Sequence, residues 1–304
     1  MKRILLILSA LLIGFAATAQ EVSKVKVNKY TLSAAQLRTV MQQDDSVRLN
    51  VTVRMPNGSE QVLHAAVALP EKWAIDYSDP YWWQPAAKDE GALVTHYAYR
   101  LEYAEAHEQA RWVAYLLTRD HASNDTVERK DHFRKDPLVK TGSAATTDYK
   151  SPYDRGHLAP ANDMAWEFQA MDESFFMSNM SPQLDKFNRG AWKTMEARVH
   201  NWAIEYDSLY IITGPCLEGT LTQTIGKNNV TVPKYYYKVV LDLKRNQAIG
   251  IWMANEAVDS KNLKQYATSV REIEQKTGID FFPALPDDIE EALETKPCID
   301  CWTW

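Results

Sequence analysis

The chain has 304 residues, of which 45% are hydrophobic and 24% charged, with 34 basic against 40 acidic side chains. This length suits one large domain, or one domain with a smaller accessory unit. The formal net charge of -6 at pH 7 excludes a uniformly basic protein, so bulk charge does not indicate a polyanionic partner.

The N-terminus has the pattern of a secretory signal. Met1-Lys2-Arg3 precede a mostly apolar stretch from Ile4 to Ala17, and Ala17-Thr18-Ala19 is a small-x-small cleavage pattern. The apolar run is shorter than the roughly 20 residues that a bilayer requires, which disfavours a membrane anchor. We predict that residues 1–19 are a signal peptide cleaved near Ala19, and that the mature chain is secreted or periplasmic with no membrane segment. Its net charge would be -8, because Lys2 and Arg3 are removed.

Residues 20–88 are predicted to form an N-terminal accessory β-rich region of unknown role. Residues Arg48 to Met55 alternate apolar and polar side chains, and Pro56-Asn57-Gly58-Ser59 then turns the chain into Gln61 to Leu69. This pattern predicts a β-hairpin.

An aromatic segment follows the hairpin, with Tyr77, Tyr81, Trp82 and Trp83 between Trp73 and Pro85. Such side chains could stack on bases or sugars, but packing of a small domain against a larger one is the favoured interpretation. We place the domain boundary near residue 88.

Strand and helix patterns become regular from Ala92 onward. Alternation from Tyr97 to Tyr103, apolar residues from Trp112 to Leu117, and segments 209–214, 234–243 and 248–254 predict strands. Helical spacing predicts two helices, one on Trp192, Met195, Val199, Trp202 and Tyr206, and one on Leu263, Tyr266, Val270 and Ile273 that stops at Gly278. The class is therefore mixed α and β, with strands preceding helices more than alternating with them.

Three cysteines occur, Cys216, Cys298 and Cys301. In an oxidising compartment an odd count leaves one thiol over, unless that thiol pairs with another chain. Cys298 and Cys301 could bridge locally, or one of them could join the C-terminal tail, residues 289–304, to Cys216. A zinc site lacks an evident fourth ligand, so we expect a structural disulfide.

The densest polar cluster reads Asp154-Arg155-Gly156-His157-Leu158-Ala159-Pro160-Ala161-Asn162-Asp163. A base, a cation and a permissive glycine within ten positions suit phosphate chemistry, with Gly156 expected to let the backbone approach the ligand. The segment from Arg129 to Arg155 adds a local charge excess of +3.

A second polar block follows at Ser178 to Gln183 and at Asn188, Trp192 and Glu196. On one helix the last three would share a face, with Asn188 and Glu196 roughly 12 Å apart at 1.5 Å per residue. That separation is too great for both to bind one ion directly, so Glu196 would hold a metal-bound water. A hydrated ion on one neutral oxygen ligand suits Mg²⁺, with Mn²⁺ or Ca²⁺ as alternatives.

Together these blocks resemble the DNA/RNA non-specific endonucleases of the ββα-metal fold, including the endonuclease G type. Asp154-Arg155-Gly156-His157 with Pro160 and Asp163 matches the first signature of that family. Asn179, Gln183, Asn188, Trp192 and Glu196 match the second. Weaker similarities extend the resemblance over about residues 92–288, and we assign residues 89–288 to the nuclease domain. The resemblance implies an α+β fold with a mixed antiparallel sheet core and a ββα-metal motif.

The resemblance also implies roles for individual residues. His157 would be the general base, Asn188 the sole direct metal ligand, and Glu196 a ligand through water. Arg155, Arg129 and Arg189 would contact substrate phosphates, while Asn179 and Gln183 would order the site by hydrogen bonds. Asp163 is expected to be structural. The metal would stabilise the leaving 3′ oxygen, so products would carry 5′ phosphates.

The leading hypothesis is thus a Mg²⁺-dependent nuclease that holds DNA or RNA, or both, by backbone phosphates with little sequence selectivity. A homodimer is compatible with the sequence. The alternatives are a non-catalytic nucleic-acid or glycan binding protein at the cell surface, which would use the aromatic segment, and a narrower phosphodiesterase.

Overall fold

The computed structural model describes the backbone of Ser46–Arg54 and Glu60–Ala68, and residues 80–304 in full. The chain divides into two compact units, Met1–Ala74 and Ile75–Trp304. The predicted signal peptide lies outside the described residues, as do Trp73 and Tyr77. Within the described part, no helix is long and apolar enough to cross a membrane.

The first unit contains the hairpin that the sequence predicts. Strands β1 (Ser46–Arg54) and β2 (Glu60–Ala68) pair antiparallel, from Ser46 opposite Ala68 to Arg54 opposite Glu60. The predicted hairpin is therefore confirmed, with each strand beginning one or two residues earlier than the pattern indicates.

The second unit is built on a seven-stranded antiparallel sheet with spatial order β13-β12-β11-β8-β5-β4-β3. A separate hairpin, β6 with β7, and a two-residue ladder, β9 with β10, accompany it. The strands are β3 (Leu93–Thr95), β4 (Arg100–Ala104), β5 (Gln109–Thr118), β6 (Tyr153–His157), β7 (Met180–Leu184), β8 (Ser208–Pro215), β9 (Thr224–Ile225), β10 (Val230–Thr231), β11 (Tyr235–Asp242), β12 (Gln247–Ala254) and β13 (Ala267–Thr268).

Both faces of the sheet are buried, which explains why its central strands read as nearly continuous apolar runs. In β5, Trp112 and Ala114 join one core cluster, whereas Val113, Tyr115 and Leu117 join the other. The predicted strands at 209–214, 234–243 and 248–254 correspond to β8, β11 and β12. The α+β class with an antiparallel sheet is confirmed.

Helices cover the two faces of the sheet. The helices are α1 (Arg119–Ala122), α2 (Phe168–Glu173), α3 (Lys193–Tyr206), α4 (Val270–Thr277) and α5 (Asp287–Thr295). Buried residues of α3 belong to the first core cluster, and those of α4 and α5 to the second. Helix α3 confirms the helix predicted from Trp192 to Tyr206. Short 3-10 turns occupy Glu90–Ala92, Glu105–His107, Thr146–Asp148, Ala161–Met164, Met177–Asn179, Leu263–Tyr266 and Ile299–Cys301.

The single helix predicted from Leu263 to Gly278 is wrong in its first half. Leu263–Tyr266 forms a 3-10 turn, and Ala267–Thr268 then adds edge strand β13 to β12. Helix α4 begins only after Ser269, whose hydroxyl accepts a hydrogen bond from the Glu272 backbone N–H at 3.1 Å. The predicted end is correct, because Gly278 has φ 64° and caps the helix in the left-handed region.

The described part of the aromatic segment is buried in the core of the second unit. Trp82 and Trp83 are 8% and 5% exposed, and their rings lie 5.6 and 5.0 Å from that of Tyr210. These two tryptophans are therefore packing residues, and they are not available to stack on bases or sugars.

The C-terminal tail is fixed against helix α3. Cys298 and Cys301 form a disulfide with each other, and Cys216 is a buried free thiol. Beyond the disulfide, the Trp302 ring lies 4.7 Å from that of Trp202, and the Trp202 indole N–H donates to the Thr303 carbonyl at 2.5 Å. The local disulfide is thus the correct alternative among those that the sequence leaves open.

Candidate active site

A β-hairpin followed by a helix positions the polar blocks. Strands β6 and β7 pair antiparallel, with His157 opposite Met180 at the end of the ladder. The chain then passes through a helical turn at Asp185–Phe187 and a π turn at Asn188–Trp192 into α3. This is the two-strand and helix arrangement that the resemblance implies.

Gly156 is required by its neighbour on the opposite strand. A Cβ at Gly156 would lie 2.2 Å from Cδ and 2.3 Å from Oε1 of Gln183, which is fully buried. The expectation that Gly156 lets the backbone approach a phosphate is therefore wrong, because the space is filled by protein. Among the described residues, neither amide atom of Gln183 has a hydrogen-bond partner, so the hydrogen-bonding role expected of Gln183 is not seen.

His157 lies in an apolar and cationic environment. Its ring is 5.1 Å from that of Phe175 and 5.7 Å from that of Phe133, and its Nε2 is buried without a hydrogen-bond partner among the described residues. Burial, together with the charges of Arg129 and Arg155, lowers the pKa of His157 to about 3. The imidazole is therefore neutral at physiological pH and can accept a proton.

Asn179 fixes the chain that follows His157. Its Oδ1 accepts from the Ala159 backbone N–H at 2.9 Å, and its Nδ2 donates to the carbonyls of Ala159 and Ser174 at 2.9 and 2.8 Å. The Asn179 carbonyl also accepts from the Leu158 N–H at 3.0 Å. The side chain is fully buried, and all three of these amide hydrogen bonds go to backbone groups.

Asp154 orients the predicted metal ligand. The Asn188 amide Nδ2 donates to Asp154 Oδ2 at 3.0 Å, which leaves the amide oxygen as the free end of the side chain. Arg189 also binds Asp154 with two hydrogen bonds, of 2.8 and 2.6 Å. Although burial raises it, these bonds from Arg189 and Asn188 lower the pKa of Asp154 overall, so the carboxylate stays ionised. The ion-pair partner of Asp154 is thus Arg189.

The helix that carries the second block is interrupted. Gly190 has φ -102° and ψ -114°, and the regular helix α3 begins only at Lys193. The expectation of a continuous helix from Asn188 to Glu196 is therefore wrong, although Trp192 and Glu196 remain neighbours one helical turn apart. Trp192 is fully buried, while Asn188 and Glu196 are both partly exposed.

A buried lysine influences Glu196. Burial raises the pKa of Glu196 to about 7, and the positive charge of Lys238 opposes that rise. Lys238 is fully buried in the middle of β11, where its Nζ donates to Thr213 Oγ1 at 3.0 Å and lies 4.7 Å from the Trp192 ring centroid. A carboxylate with this raised pKa would gain from a nearby cation.

Two of the three predicted phosphate contacts lie beside His157. Arg155 is exposed, with its guanidinium 4.1 Å from the Phe133 ring centroid. Arg129 is also exposed, 5.3 Å from the Phe175 ring centroid, and it pairs with Asp131 at 2.7 Å. Arg189 is engaged with Asp154, so its charge is already balanced.

Sequence reasoning missed two residues of this site. Phe175, which packs edge-on against His157, carries no local signal, because its role depends on the distant turn that contains Phe133. Lys238 does carry a signal, since it is a charge within the apolar run of β11.

Asp163 has the structural role that the sequence predicts. It is 3% exposed, accepts from the Tyr115 hydroxyl at 2.7 Å, and lies 2.8 Å from His200 Nδ1. The hydrogen bond to Asp163 raises the pKa of His200. These contacts join β5 to α3 behind the site.

Comparisons with known proteins agree with this geometry. The family profile described as DNA/RNA non-specific endonuclease matches residues 85–288. The chain is 33% identical over 202 residues to "Nuclease EXOG, mitochondrial" of Danio rerio, covering 61% of this chain and 59% of the relative. It is 32% identical over 208 residues to "Endonuclease G, mitochondrial" of Homo sapiens, covering 64% of this chain and 70% of the relative. The match thus spans about three fifths of the length of the Danio rerio relative.

A solved structure has the same fold. The crystal structure of the EndoG/EndoGI complex, which describes a mechanism of EndoG inhibition, superimposes with a TM-score of 0.61 at 29% identity. The superposition covers 72% of this chain and 94% of that chain. Since the family profile matches more than half of the sequence, the chain belongs to the DNA/RNA non-specific endonuclease family, a family of metal-dependent nucleases.

Proposed function

We propose that this protein hydrolyses phosphodiester bonds of DNA, RNA or both with little sequence selectivity. The observation that carries the proposal is the neutral imidazole of His157, held at the end of β6 beside Arg129 and Arg155. A base that is unprotonated at neutral pH, next to cations that balance phosphate charge, is the combination that phosphodiester hydrolysis needs.

In the proposed reaction, a water molecule attacks phosphorus while the imidazole of His157 takes its proton. The bond between phosphorus and the 3′ oxygen breaks, so the products carry a 5′ phosphate and a 3′ hydroxyl. Arg155 binds the nonbridging phosphate oxygens, and Arg129 and Arg189 contribute less because Asp131 and Asp154 already balance their charges. Asn179 keeps the segment after His157 in place.

The chemistry of Asn188 and Glu196 fits a hard divalent cation. The Asn188 amide oxygen faces away from its Asp154 hydrogen bond, and Glu196 is a carboxylate whose raised pKa favours a neighbouring cation. Asn188 would bind Mg²⁺ directly and Glu196 would hold it through a water, with Mn²⁺ or Ca²⁺ as alternatives. When bound, the ion supplies positive charge that stabilises the departing 3′ oxygen.

The proposal includes export and a separate accessory region. The small-x-small pattern before Gln20 supports cleavage near Ala19 and a secreted or periplasmic location. N-terminal sequencing of the protein from the periplasmic and medium fractions tests this. The boundary expected near residue 88 moves to residues 74 and 75, because Trp82 and Trp83 belong to the core of the second unit. Residues 20–74 are therefore proposed as an accessory region and residues 289–304 as a tail, with limited proteolysis as the test. Light scattering tests the proposed homodimer.

The decisive experiment incubates the mature protein with supercoiled plasmid and with RNA, with Mg²⁺ and with EDTA. We expect cleavage only with the metal, 5′ phosphate ends, and loss of at least about 10²-fold in rate for His157→Ala, which is the usual contribution of a general base. His107→Ala is the matched control, because His107 bonds to Thr231 elsewhere in the second unit. Cleavage by His157→Ala at the parent rate would refute the proposed mechanism.

Metal binding is measured independently of activity by isothermal titration with Mn²⁺. Asn188→Ala and Glu196→Gln should both lower the affinity for Mn²⁺. The affinity of Asn188→Ala should be the lower of the two, because this variant loses the direct ligand. Nucleic-acid binding without cleavage under any divalent ion would favour the non-catalytic alternative. Cleavage of small phosphodiesters but not of plasmid or RNA would favour the narrower phosphodiesterase.

A further inference from the structure

A cavity of about 560 Å³ adjoins the candidate active site. It lies between the segment at residues 127–132 and helix α2, and its apolar walls are Val127, Phe168, Met171 and Phe175. Glu128, Lys130, Asp131 and His132 line it on the side of the loop, and Asp172 lines it on the side of α2. Aromatic and aliphatic walls with charged side chains of both signs at the edge suit a flat aromatic ring such as a base.

Phe175 is shared between this cavity and the catalytic histidine. Its ring is 5.1 Å from the His157 imidazole at an interplanar angle of 89°, and the Arg129 guanidinium lies 5.3 Å from its centroid. A phosphate held by Arg129 beside His157 would therefore have the cavity on the other side of a single aromatic ring. Phe175 thus lies between the cavity and the imidazole and contacts both.

The walls of the cavity combine an exposed ring with a fixed one. Phe168 is 60% exposed at the start of α2, although a phenylalanine gains most when it is buried. Phe175, in contrast, is 1% exposed and packs edge-on against Phe133 at 5.0 Å. An incoming base would cover Phe168 without moving the core.

The charged side chains around the cavity have both signs. Asp172 is paired with Arg134, whose Nη2 lies 2.5 Å from its Oδ2, and His132 Nδ1 lies 3.0 Å from its Oδ1. Asp131 is paired with Arg129. Glu128 and Lys130 also line the cavity, and both are exposed with opposite charges, so the cavity suits an uncharged ring such as a base better than an anion.

From this geometry we infer that the cavity binds one unstacked base next to the scissile phosphate, and that the enzyme consequently prefers single-stranded nucleic acid. The inference rests on the proposed nuclease function and adds a substrate class to it. A single strand can insert a base at little cost, whereas a duplex must first unpair and unstack one.

The test compares kcat/KM for an oligonucleotide and for the same sequence as a duplex. The parent should cut the single strand faster, and Phe168→Ala should lower kcat/KM on the single strand by about tenfold while leaving the duplex little changed. Leu138→Ala is the matched control, because Leu138 is a 52% exposed apolar residue that does not line the cavity. Since Phe168 is on the surface, thermal unfolding should be the same for parent and variant.

A second measurement maps the base itself. Oligonucleotides with one abasic position should be cut poorly at a fixed offset from that position by the parent, because the cavity then receives no base. Phe168→Ala should cut all of these bonds uniformly. If the parent cuts both substrates but Phe168→Ala and the abasic series change nothing, the base site is refuted and the nuclease function stands. If the parent cuts neither substrate, the nuclease function itself fails.

Discussion

The side chain of Gln183 occupies the space that a Cβ on Gly156 would need, with Cδ 2.2 Å from that position. Because Gln183 is fully buried and belongs to the strand opposite Gly156, this contact sets the packing of the hairpin that carries His157. The glycine of the polar cluster is thus a requirement of packing between two strands.

Gly156→Ala should lower the free energy of unfolding by about 1–3 kcal/mol, as overpacking of a dense core does. Gly156→Ala combined with Gln183→Ala should recover part of that loss, because alanine at 183 removes the contacting Cγ, Cδ and Oε1 atoms. Urea unfolding of the two single variants and the double variant measures this coupling. Strictly additive effects would show that the contact does not govern the hairpin.

His157 should make the protein less stable in acid. Its folded pKa of about 3 lies below the ordinary value of 6.5, so the unfolded chain binds the extra proton first. The contribution of the neutral His157 to the free energy of unfolding is complete above pH 6.5 and falls as the pH drops toward 3. Between pH 7 and pH 4.5, the free energy of unfolding should therefore fall by about 2 kcal/mol less for His157→Asn than for the parent, as measured by urea unfolding. Parallel pH profiles for the two proteins would contradict this.

Glu294 should have the opposite pH dependence. Burial, with the nearby charges of Glu274 and Glu290, raises its pKa from 4.5 to about 8 although Arg271 opposes the shift. The folded state therefore holds a proton that the unfolded state releases, and stability falls as the pH rises from about 4.5 through about 8. Between pH 5 and pH 9, the free energy of unfolding of Glu294→Gln should therefore rise by about 2 kcal/mol relative to that of the parent.

Glu291→Gln is the matched control for that measurement. Glu291 lies on the same helix and also pairs with Arg271, at 2.8 Å, but its side chain is 64% exposed. Its substitution should change stability little at either pH, because exposed ion pairs contribute little. An equal pH response in both variants would mean that burial of Glu294 is not the cause.

Lys238 should favour the ionised form of Glu196, whose pKa is about 7 with the lysine in place. Removing its charge by Lys238→Met should raise the pKa of Glu196 above about 7, so that Mn²⁺ affinity falls strongly at pH 6.5 and less at pH 8.5. Isothermal titration at both pH values measures the difference. Lys234→Met, an exposed lysine of the same region of the chain, should leave both affinities unchanged.

Arg155 should contribute one phosphate contact. Arg155→Ala should weaken binding of a nucleic acid to the His157→Ala background and lower the slope of log affinity against log salt by about 1. Lys261→Ala, which removes an exposed charge in another loop, provides the comparison. An unchanged salt slope would place Arg155 outside the phosphate contacts.

Local sequence patterns predict the central strands of the sheet and the end of helix α4. Continuous apolar runs bounded by polar turns predict strands β8, β11 and β12. Gly278 predicts the end of helix α4, because glycine commonly ends helices. The division between Leu263 and Val270 was missed because edge pairing of β13 with β12 overrides helical spacing there. The Ser269-x-x-Glu272 pattern was the available signal for the true start of α4.

The site was predictable in its residues but not in its contacts. His157, Asn188 and Glu196 follow from two motifs at a fixed spacing. In contrast, the partners of Asn179, the filling of space by Gln183 and the influence of Lys238 all depend on strands distant in sequence. The π turn at Gly190 was also hidden, because a glycine next to a helical pattern does not specify how the helix is interrupted.

The segment that carries the catalytic residues begins and ends at paired positions of the sheet. The chain leaves β5 at Thr118 and returns to β8 at Ser208, and these two residues are direct partners in the ladder. Everything from α1 through α3, including His157 and Asn188, therefore starts and finishes at one place on a fixed scaffold. The sheet thus holds the two ends of this excursion together, while buried residues such as Trp192 and Ser181 pack back onto the sheet, so the position of the catalytic residues depends on the scaffold at both levels.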